Sequence, residues 1–155
     1  GLSSRGKIRA DHVRSMNQGN IVLALSMPEP EISVEEAAEA GASVFAEGLT
    51  GTSNAMPNLH AYPGIARGLL DVRAKGLNDN ILMAASHAIA GAVDRRRLSG
   101  RCIIPDLFSD EVTPRVAEAV AQTAIAEGLA SLPLPPKQVY EETWHRLFGN
   151  IMERI

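Results

Sequence analysis

The segment Ile21–Ser26 (IVLALS) restricts the fold more than any other feature of this chain. Its first five residues are all apolar. A strand with one face in solvent alternates apolar and polar residues, whereas a continuous apolar run is typical of a strand covered on both faces. Pro28 and Pro30 end the strand, because proline can continue neither a β-ladder nor a helix. The segment therefore predicts an interior strand of a parallel sheet.

A helix and a second strand follow closely. Ser33 precedes Val34-Glu35-Glu36, and a hydroxyl with a glutamate three residues later is the capping-box pattern that begins a helix. Gly41 is the expected end of that helix, and Ser43–Ala46 (SVFA) predicts a second strand. Strand, helix and strand in this order predict a βαβ unit with parallel strands and a right-handed crossover.

The rest of the chain is predicted to be helical. Residues 48–63 are rich in Gly, Pro, Asn, Ser and Thr and have no periodicity, so we expect a loop there. The apolar spacing and cap signals predict further helices that begin near Ile65, at the Asn78 cap, at Thr113-Pro114 and at Lys137, the last running to Met152. A proline-rich connector begins at residue 132 and precedes this final helix.

Two strands beside five helices are an unusual proportion, because a two-stranded parallel sheet is not stable alone. Gly1–Ser4 also has the composition of a segment that follows a strand. We therefore predict an α/β fold: the second half of a Rossmann-like doubly wound parallel sheet followed by C-terminal helices. The first half would come from another stretch of polypeptide or from a second chain.

Charge and composition argue against several classes of partner. The formal net charge is -3, and Arg95–Arg97 is the only basic cluster, so we expect no nucleic-acid binding. No apolar stretch approaches 18 residues, so we expect no membrane span. Cys102 is the single cysteine, which excludes an intrachain disulfide. With no signal-peptide pattern at the start, the cytoplasm is the expected location.

Few side chains have the spacing of a catalytic or metal site. The four histidines are scattered, and His60 is expected to point to solvent from its loop. Glu29, Glu31 and Glu47 are candidate metal ligands by residue type, but we interpret them as a solvated loop and a strand end. No GxGxxG pattern is present. The residues alone therefore identify no catalytic centre.

Three segments resemble bacterial malic enzymes. Tyr62–Asp79 (YPGIARGLLDVRAKGLND) is similar to the family's F-P-G-I-x-R-G-x-L-D-V-R-A-x-x-I-N-D segment. Ile21–Ile32 (IVLALSMPEPEI) is similar to I-V-F-A-L-A-N-P-x-P-E-I, and Ile103–Asp106 matches I-I-P-D. The likeness runs in order from about Gly1 to Gly128. It implies that residues 1–131 are the C-terminal part of a malic-enzyme NAD(P)-binding domain and that residues 132–155 are a connector and C-terminal helix.

The resemblance also implies a reaction. Malic enzymes oxidise malate with NAD or NADP and release carbon dioxide, aided by a divalent metal such as Mg or Mn. The family's catalytic lysine and tyrosine and its metal carboxylates belong to an earlier region. We therefore assign no catalytic or metal-binding residue here and expect the chain to be inactive alone. The expected partners are a 2-hydroxy acid, the missing N-terminal half or a second chain, and further copies of the protein.

Four residues are candidates for binding. By the resemblance, Ser26, Met27 and Asn54 belong to cofactor binding, and Asn58 holds a substrate carboxylate. Met27 stands where the family has an asparagine, and Pro57 replaces the first asparagine of its N-N pair. A thioether lacks the donor and acceptor of an amide. Two interpretations stay open: an oxidoreductase with altered acid specificity, or a non-catalytic, degenerate interaction module.

Overall fold

The computed structural model describes residues 1–49 and 53–149, which form two compact units. Unit 1 comprises Gly1–Pro57 and Arg95–Ile104, and unit 2 comprises Asn58–Asp94 and the described residues from Pro105 onward. The connector and final helix belong to unit 2, so these units do not coincide with the predicted division at residue 131. That division stays a prediction about the extent of the family domain.

Unit 1 contains the predicted βαβ arrangement. Its elements are α1 (Ala10–Arg14), β1 (Ile21–Ala24), α2 (Val34–Glu39) and β2 (Val44–Glu47). The two strands pair in parallel, with Ile21 opposite Val44 and Ala24 opposite Glu47. The capping box at the start of α2 is confirmed: Glu36 N–H donates to Ser33 Oγ at 3.1 Å, and Ser33 N–H donates to the Glu36 carboxylate at 3.3 Å.

The edge of β1 opposite β2 carries the first residues of the chain. The Gly1 amino nitrogen donates to Leu23 O, and Leu25 N–H donates to Gly1 O at 3.1 Å. A strand that lies parallel to β1 would make this same pair of bonds. Gly1 therefore occupies the position that a residue of a neighbouring parallel strand would take, and the prediction that Gly1–Ser4 follows a strand stays a prediction.

The core of unit 1 lies between its helices and its sheet. Its buried residues are Val13, Val22, Ala24, Ile32, Ala37 and Ala40. Val13 lies on α1, a helix that the sequence did not predict. Five residues are too few to show a helical apolar period, so only the packing of Val13 identifies α1 as part of the core.

Unit 2 is helical and is built around one central helix. Its elements are a 3₁₀ turn (Asn58–His60), α3 (Tyr62–Asp71), α4 (Asp79–Gly91), α5 (Val112–Ala126), α6 (Pro136–Trp144) and a π-helical turn (His145–Gly149). Helix α5 packs against α3, α4 and α6. Seven of its residues are buried for this reason, more than one helical stripe would supply. None of the described helices is long and apolar enough to cross a membrane.

Several predicted boundaries are wrong by a few residues. Helix α5 begins at Val112, with Glu111 rather than Thr113 at the N-cap. The predicted loop 48–63 contains the 3₁₀ turn and the start of α3, while residues 50–52 lie outside the described structure. The final helix changes to π geometry at His145, and its predicted end at Met152 also lies outside the described residues. Tertiary contacts, which local sequence does not encode, decide such ends.

Candidate functional site

The carboxyl ends of β1 and β2 lie side by side in unit 1. Ser26, just beyond β1, is 7% exposed, whereas Met27 is 65% exposed. Gly48 follows β2, and a Cβ atom on it would lie 2.8 Å from Leu25 O and 3.3 Å from Met27 Cγ. A glycine therefore lets the two strand ends approach closely. In open α/β sheets, ligands bind outside the carboxyl ends of the strands, so this edge is the candidate binding surface.

Glu31 is buried directly behind this edge, with 1% of its surface exposed. Its Oε1 accepts hydrogen bonds from Ser3 N–H at 2.8 Å and from Ser26 Oγ at 2.6 Å. Its Oε2 accepts a third from Ser26 N–H at 3.2 Å. The prediction that Glu31 belongs to a solvated loop is therefore wrong. The matched P-E-P-E-I motif contains this residue, but the motif does not show that its carboxylate is buried.

The hydrogen bonds decide the charge of Glu31. Burial opposes ionisation and would raise the pKa of the carboxyl group. The donors Ser26 Oγ, Ser3 N–H and Ser26 N–H outweigh it, and the pKa of Glu31 is lowered from 4.5 to about 2. Glu31 is therefore ionised at neutral pH and serves only as a hydrogen-bond acceptor.

Asn54 lies beside the end of β2, and its side chain is committed to the backbone. Its Nδ2 donates to Phe45 O at 2.8 Å and to Gly100 O at 2.9 Å. Its Oδ1 accepts from Ile103 N–H at 3.0 Å. Both amide hydrogens are thus used within unit 1, where they join β2 to the segment around Gly100. Any contact of Asn54 with a cofactor would have to come through the free lone pair of Oδ1 or through its backbone.

Asn58 belongs to unit 2, where it opens the 3₁₀ turn before α3. It is exposed, and its carbonyl accepts a hydrogen bond from Ala61 N–H at 3.1 Å. His60, two residues later, is 5% exposed, and its Nε2 lies 3.0 Å from Pro105 O. The prediction that His60 points to solvent is wrong, because its ring anchors the turn to the chain at Pro105. This anchor leaves the Asn58 side chain at the surface of a fixed turn.

The acidic candidates do not form a metal site within the described residues. Glu29 is exposed and pairs with Arg5 at 3.2 Å. Glu47 is 5% exposed, so the prediction of a solvated strand end is wrong for it as well. Across residues 1–49 and 53–149, no group of three His, Cys, Asp or Glu residues could hold a metal ion.

Comparison with known proteins matches most of the chain to a single protein family. The family model for the malic enzyme NAD binding domain matches residues 3–125. The bifunctional malic/malolactic enzyme of Bacillus subtilis is 42% identical over 143 residues, which are 92% of this chain and 35% of that protein. An NADP-dependent malic enzyme of Rhizobium meliloti is 34% identical, over 90% of this chain and 20% of its own length.

The fold agrees with solved structures as well. The crystal structure of malic enzyme from Pyrococcus horikoshii superimposes with a TM-score of 0.86 at 37% sequence identity. The superposition covers 97% of this chain and 35% of that one. This chain therefore has the fold of one portion of a malic enzyme and spans between 20% and 35% of the length of these three proteins. The predicted Rossmann-like α/β architecture is confirmed.

Proposed function

Because the chain belongs to the malic enzyme family, we propose that it is the C-terminal part of the NAD(P)-binding domain of an oxidoreductase. The complete enzyme would oxidise malate or a related 2-hydroxy acid with NAD or NADP and release carbon dioxide. The chain alone would lack turnover, since we assign the catalytic lysine, the tyrosine and the metal carboxylates to a region outside it.

The observation that carries this proposal is the shared carboxyl edge of β1 and β2. An exposed residue, Met27, stands at that edge beside Gly48, whose lack of a side chain lets the two strand ends lie close together. Dinucleotides bind outside the carboxyl ends of the strands in open α/β sheets, which supports this edge as the coenzyme surface. When bound, the coenzyme supplies the acceptor for the hydride.

Two residues at the candidate surface, and separately one exposed residue of unit 2, have definite roles in this proposal. Met27 offers an apolar, polarisable thioether that packs against a ring but makes no amide-like hydrogen bonds. Ser26 positions the backbone that leads to Met27, because its hydroxyl and its N–H both donate hydrogen bonds to Glu31. Asn58 presents an amide that donates to a substrate carboxylate. A metal ion would be held by residues outside the described part of this chain.

An assay of the complete natural protein that contains residues 1–155 tests the proposal. We expect NADH or NADPH to form when malate, a divalent cation and the matching coenzyme are present, with release of carbon dioxide. A panel of 2-hydroxy acids shows whether the change at Met27 moved specificity away from malate. If the complete protein forms no reduced coenzyme with any of these acids, the proposal fails.

Asn58→Ala tests the substrate assignment in the same protein. Loss of one carboxylate contact should raise the KM for the acid about 10-fold or more and leave the coenzyme KM within about twofold. Asn80→Ala is a suitable control, because Asn80 is also an exposed asparagine of unit 2 but hydrogen-bonds to Glu127. An unchanged KM for the acid in the Asn58 variant would remove Asn58 from the site.

A non-catalytic interaction module is the second candidate, and the exposed Met27 favours it. A buried polar site that loses its amides binds its former ligand more weakly, by roughly 1–3 kcal/mol per unpaired group. Failure of the complete protein to bind either dinucleotide would support this candidate.

Self-association and a cytoplasmic location are further parts of our proposal, and both stay predictions.

A further inference from the structure

Glu31 connects two separate segments of unit 1 at the candidate surface. Its carboxylate accepts from Ser3 on one side and from both the N–H and the hydroxyl of Ser26 on the other. Its own carbonyl accepts from Gly6 N–H at 2.8 Å, which adds a second tie to the first residues of the chain. One residue thus holds the N-terminal segment and the end of β1 at a fixed spacing.

These bonds determine the geometry of the turn that carries Met27. The Ser26 N–H fixes the peptide plane that enters the turn, and the Ser26 hydroxyl fixes its side-chain rotamer. Met27 is the next residue and is 65% exposed, so its position depends on the backbone of Ser26. The Glu31 carboxylate itself is buried, so it acts on any ligand through Ser26 and Ser3.

We propose that Glu31 is a positioning residue for the coenzyme: its buried carboxylate holds Gly1–Ser4 and the Ser26–Met27 turn so that the dinucleotide meets a preformed surface. The inference rests on the proposed function, since it assumes that this edge binds a dinucleotide. Its physical basis is preorganisation, because a displacement of about 1 Å in a binding surface is enough to weaken binding strongly.

Glu31→Gln is the direct test, and Glu29→Gln is its matched control. Glutamine has one acceptor oxygen and one NH₂ group, so in Glu31→Gln an NH₂ group would meet an N–H or O–H donor from Ser3 or Ser26. Glu29 lies two residues away, and its replacement changes charge equally. Its side chain is 58% exposed and pairs with Arg5, so it should not affect the turn.

The measurements use the complete natural protein: coenzyme Kd by fluorescence of NADH or NADPH, KM for coenzyme and acid, and melting temperature. We expect Glu31→Gln to raise the coenzyme Kd and KM about 10-fold or more and to change the acid KM by less than twofold. Glu31→Asp keeps the charge but shortens the reach, so it should give a smaller rise. Glu29→Gln should match the wild type.

The outcomes separate the inference from the proposed function. If the wild type turns over and Glu31→Gln binds coenzyme equally well while melting at a lower temperature, Glu31 is merely structural and the inference is overturned. If neither Glu31 variant folds, Glu31 is required for folding, which also overturns it. If the wild type itself binds neither NAD nor NADP, the proposed function fails and the inference fails with it.

Discussion

At the scale of single residues, buried polar groups organise the candidate site. Glu31 and Asn54 are at most 2% exposed, and each bonds to backbone groups from separate segments. Burying a polar group costs free energy unless it is hydrogen-bonded, so each of these side chains requires the segments that surround it. In unit 1 they hold the ends of both strands in place, while Met27 beyond β1 is exposed.

Asn54→Ala should lower the free energy of unfolding substantially. The change removes the partners of Phe45 O, Gly100 O and Ile103 N–H at once. These bonds are only partly buried, so water replaces part of what is lost and each bond contributes about 1 kcal/mol. We expect a total loss of roughly 2–4 kcal/mol, measured by urea denaturation. Asn58→Ala is the control, because an exposed side chain should change stability by no more than about 0.5 kcal/mol. Equal stabilities of the two variants would contradict the role of Asn54.

Glu31 should make stability depend on pH in the acid range. Its pKa is about 2 in the folded protein and 4.5 ordinarily, so the unfolded chain binds more protons between these values. The contribution is therefore complete above about pH 4.5 and is lost as the pH falls toward 2. We expect about 1–3 kcal/mol in total, after allowance for solvent screening.

The difference in unfolding free energy between wild type and Glu31→Gln measures this term. It should be constant from pH 7 to pH 5 and should shrink between pH 4.5 and pH 3. A difference that stays the same at pH 3 would show that the carboxylate is not stabilised by its three donors.

At the scale of elements, two glycines on α3 allow this helix to pack closely against α5. A Cβ atom on Gly64 would lie 2.6 Å from Val116 Cβ, and one on Gly68 would lie 2.8 Å from Val120 Cβ. The two glycines lie four residues apart and therefore face the same side of α3. Because α3 follows the turn that carries Asn58, this contact also sets where that turn stands on unit 2.

Gly68→Ala should destabilise unit 2, although alanine is normally the better helix former. The added methyl group would overlap Val120 and the backbone of Ala117, and overpacking of this kind costs about 1–3 kcal/mol. Gly91→Ala on α4 is the matched control. A Cβ there meets nothing within 4 Å, so it should be neutral or slightly stabilising. A stable Gly68 variant with an unchanged denaturation midpoint would disprove the close packing of α3 on α5.

At the scale of the whole molecule, the chain matches only a portion of the length of its malic enzyme relatives. It covers 35% of the Bacillus subtilis relative and 35% of the Pyrococcus horikoshii chain. Its described sheet has two strands, and an exposed sheet edge pairs readily with other strands. Unit 2 adds apolar side chains in solvent, among them Phe108 at 89% exposure.

The isolated 155-residue chain should therefore self-associate or pair with the rest of its enzyme. Sedimentation velocity over a range of concentrations measures this. We expect species larger than a monomer of 16.5 kDa, and a shift to a defined complex when the remaining polypeptide is added. Monomeric behaviour at high concentration would contradict the prediction.

Sequence patterns predicted those features that depend on neighbouring residues. The apolar run at Ile21 predicted a strand of a parallel sheet, and Ser33 with Glu36 predicted a helix start, because strand composition and capping each leave a local signature. The predicted burial on both faces is wrong for the described strand, since Val22 and Ala24 are buried but Ile21 is 57% exposed. The malic-enzyme motifs predicted the family because each of them is a run of neighbouring residues. The sequence did not predict helix α1, because a single buried valine in five residues does not show a helical apolar period.

Tertiary structure alone decided which polar side chains are buried. Glu31, Glu47 and His60 looked like solvated residues in the sequence, but all three are buried. The partners of Glu31 and His60 lie far along the chain: Ser3 is 28 residues from Glu31, and Pro105 is 45 residues from His60. A carboxylate or an imidazole is stable in the interior only when such distant donors and acceptors converge on it. The sequence by itself determined the family and the parallel βαβ unit, and the convergence of distant segments decided how the candidate site is held.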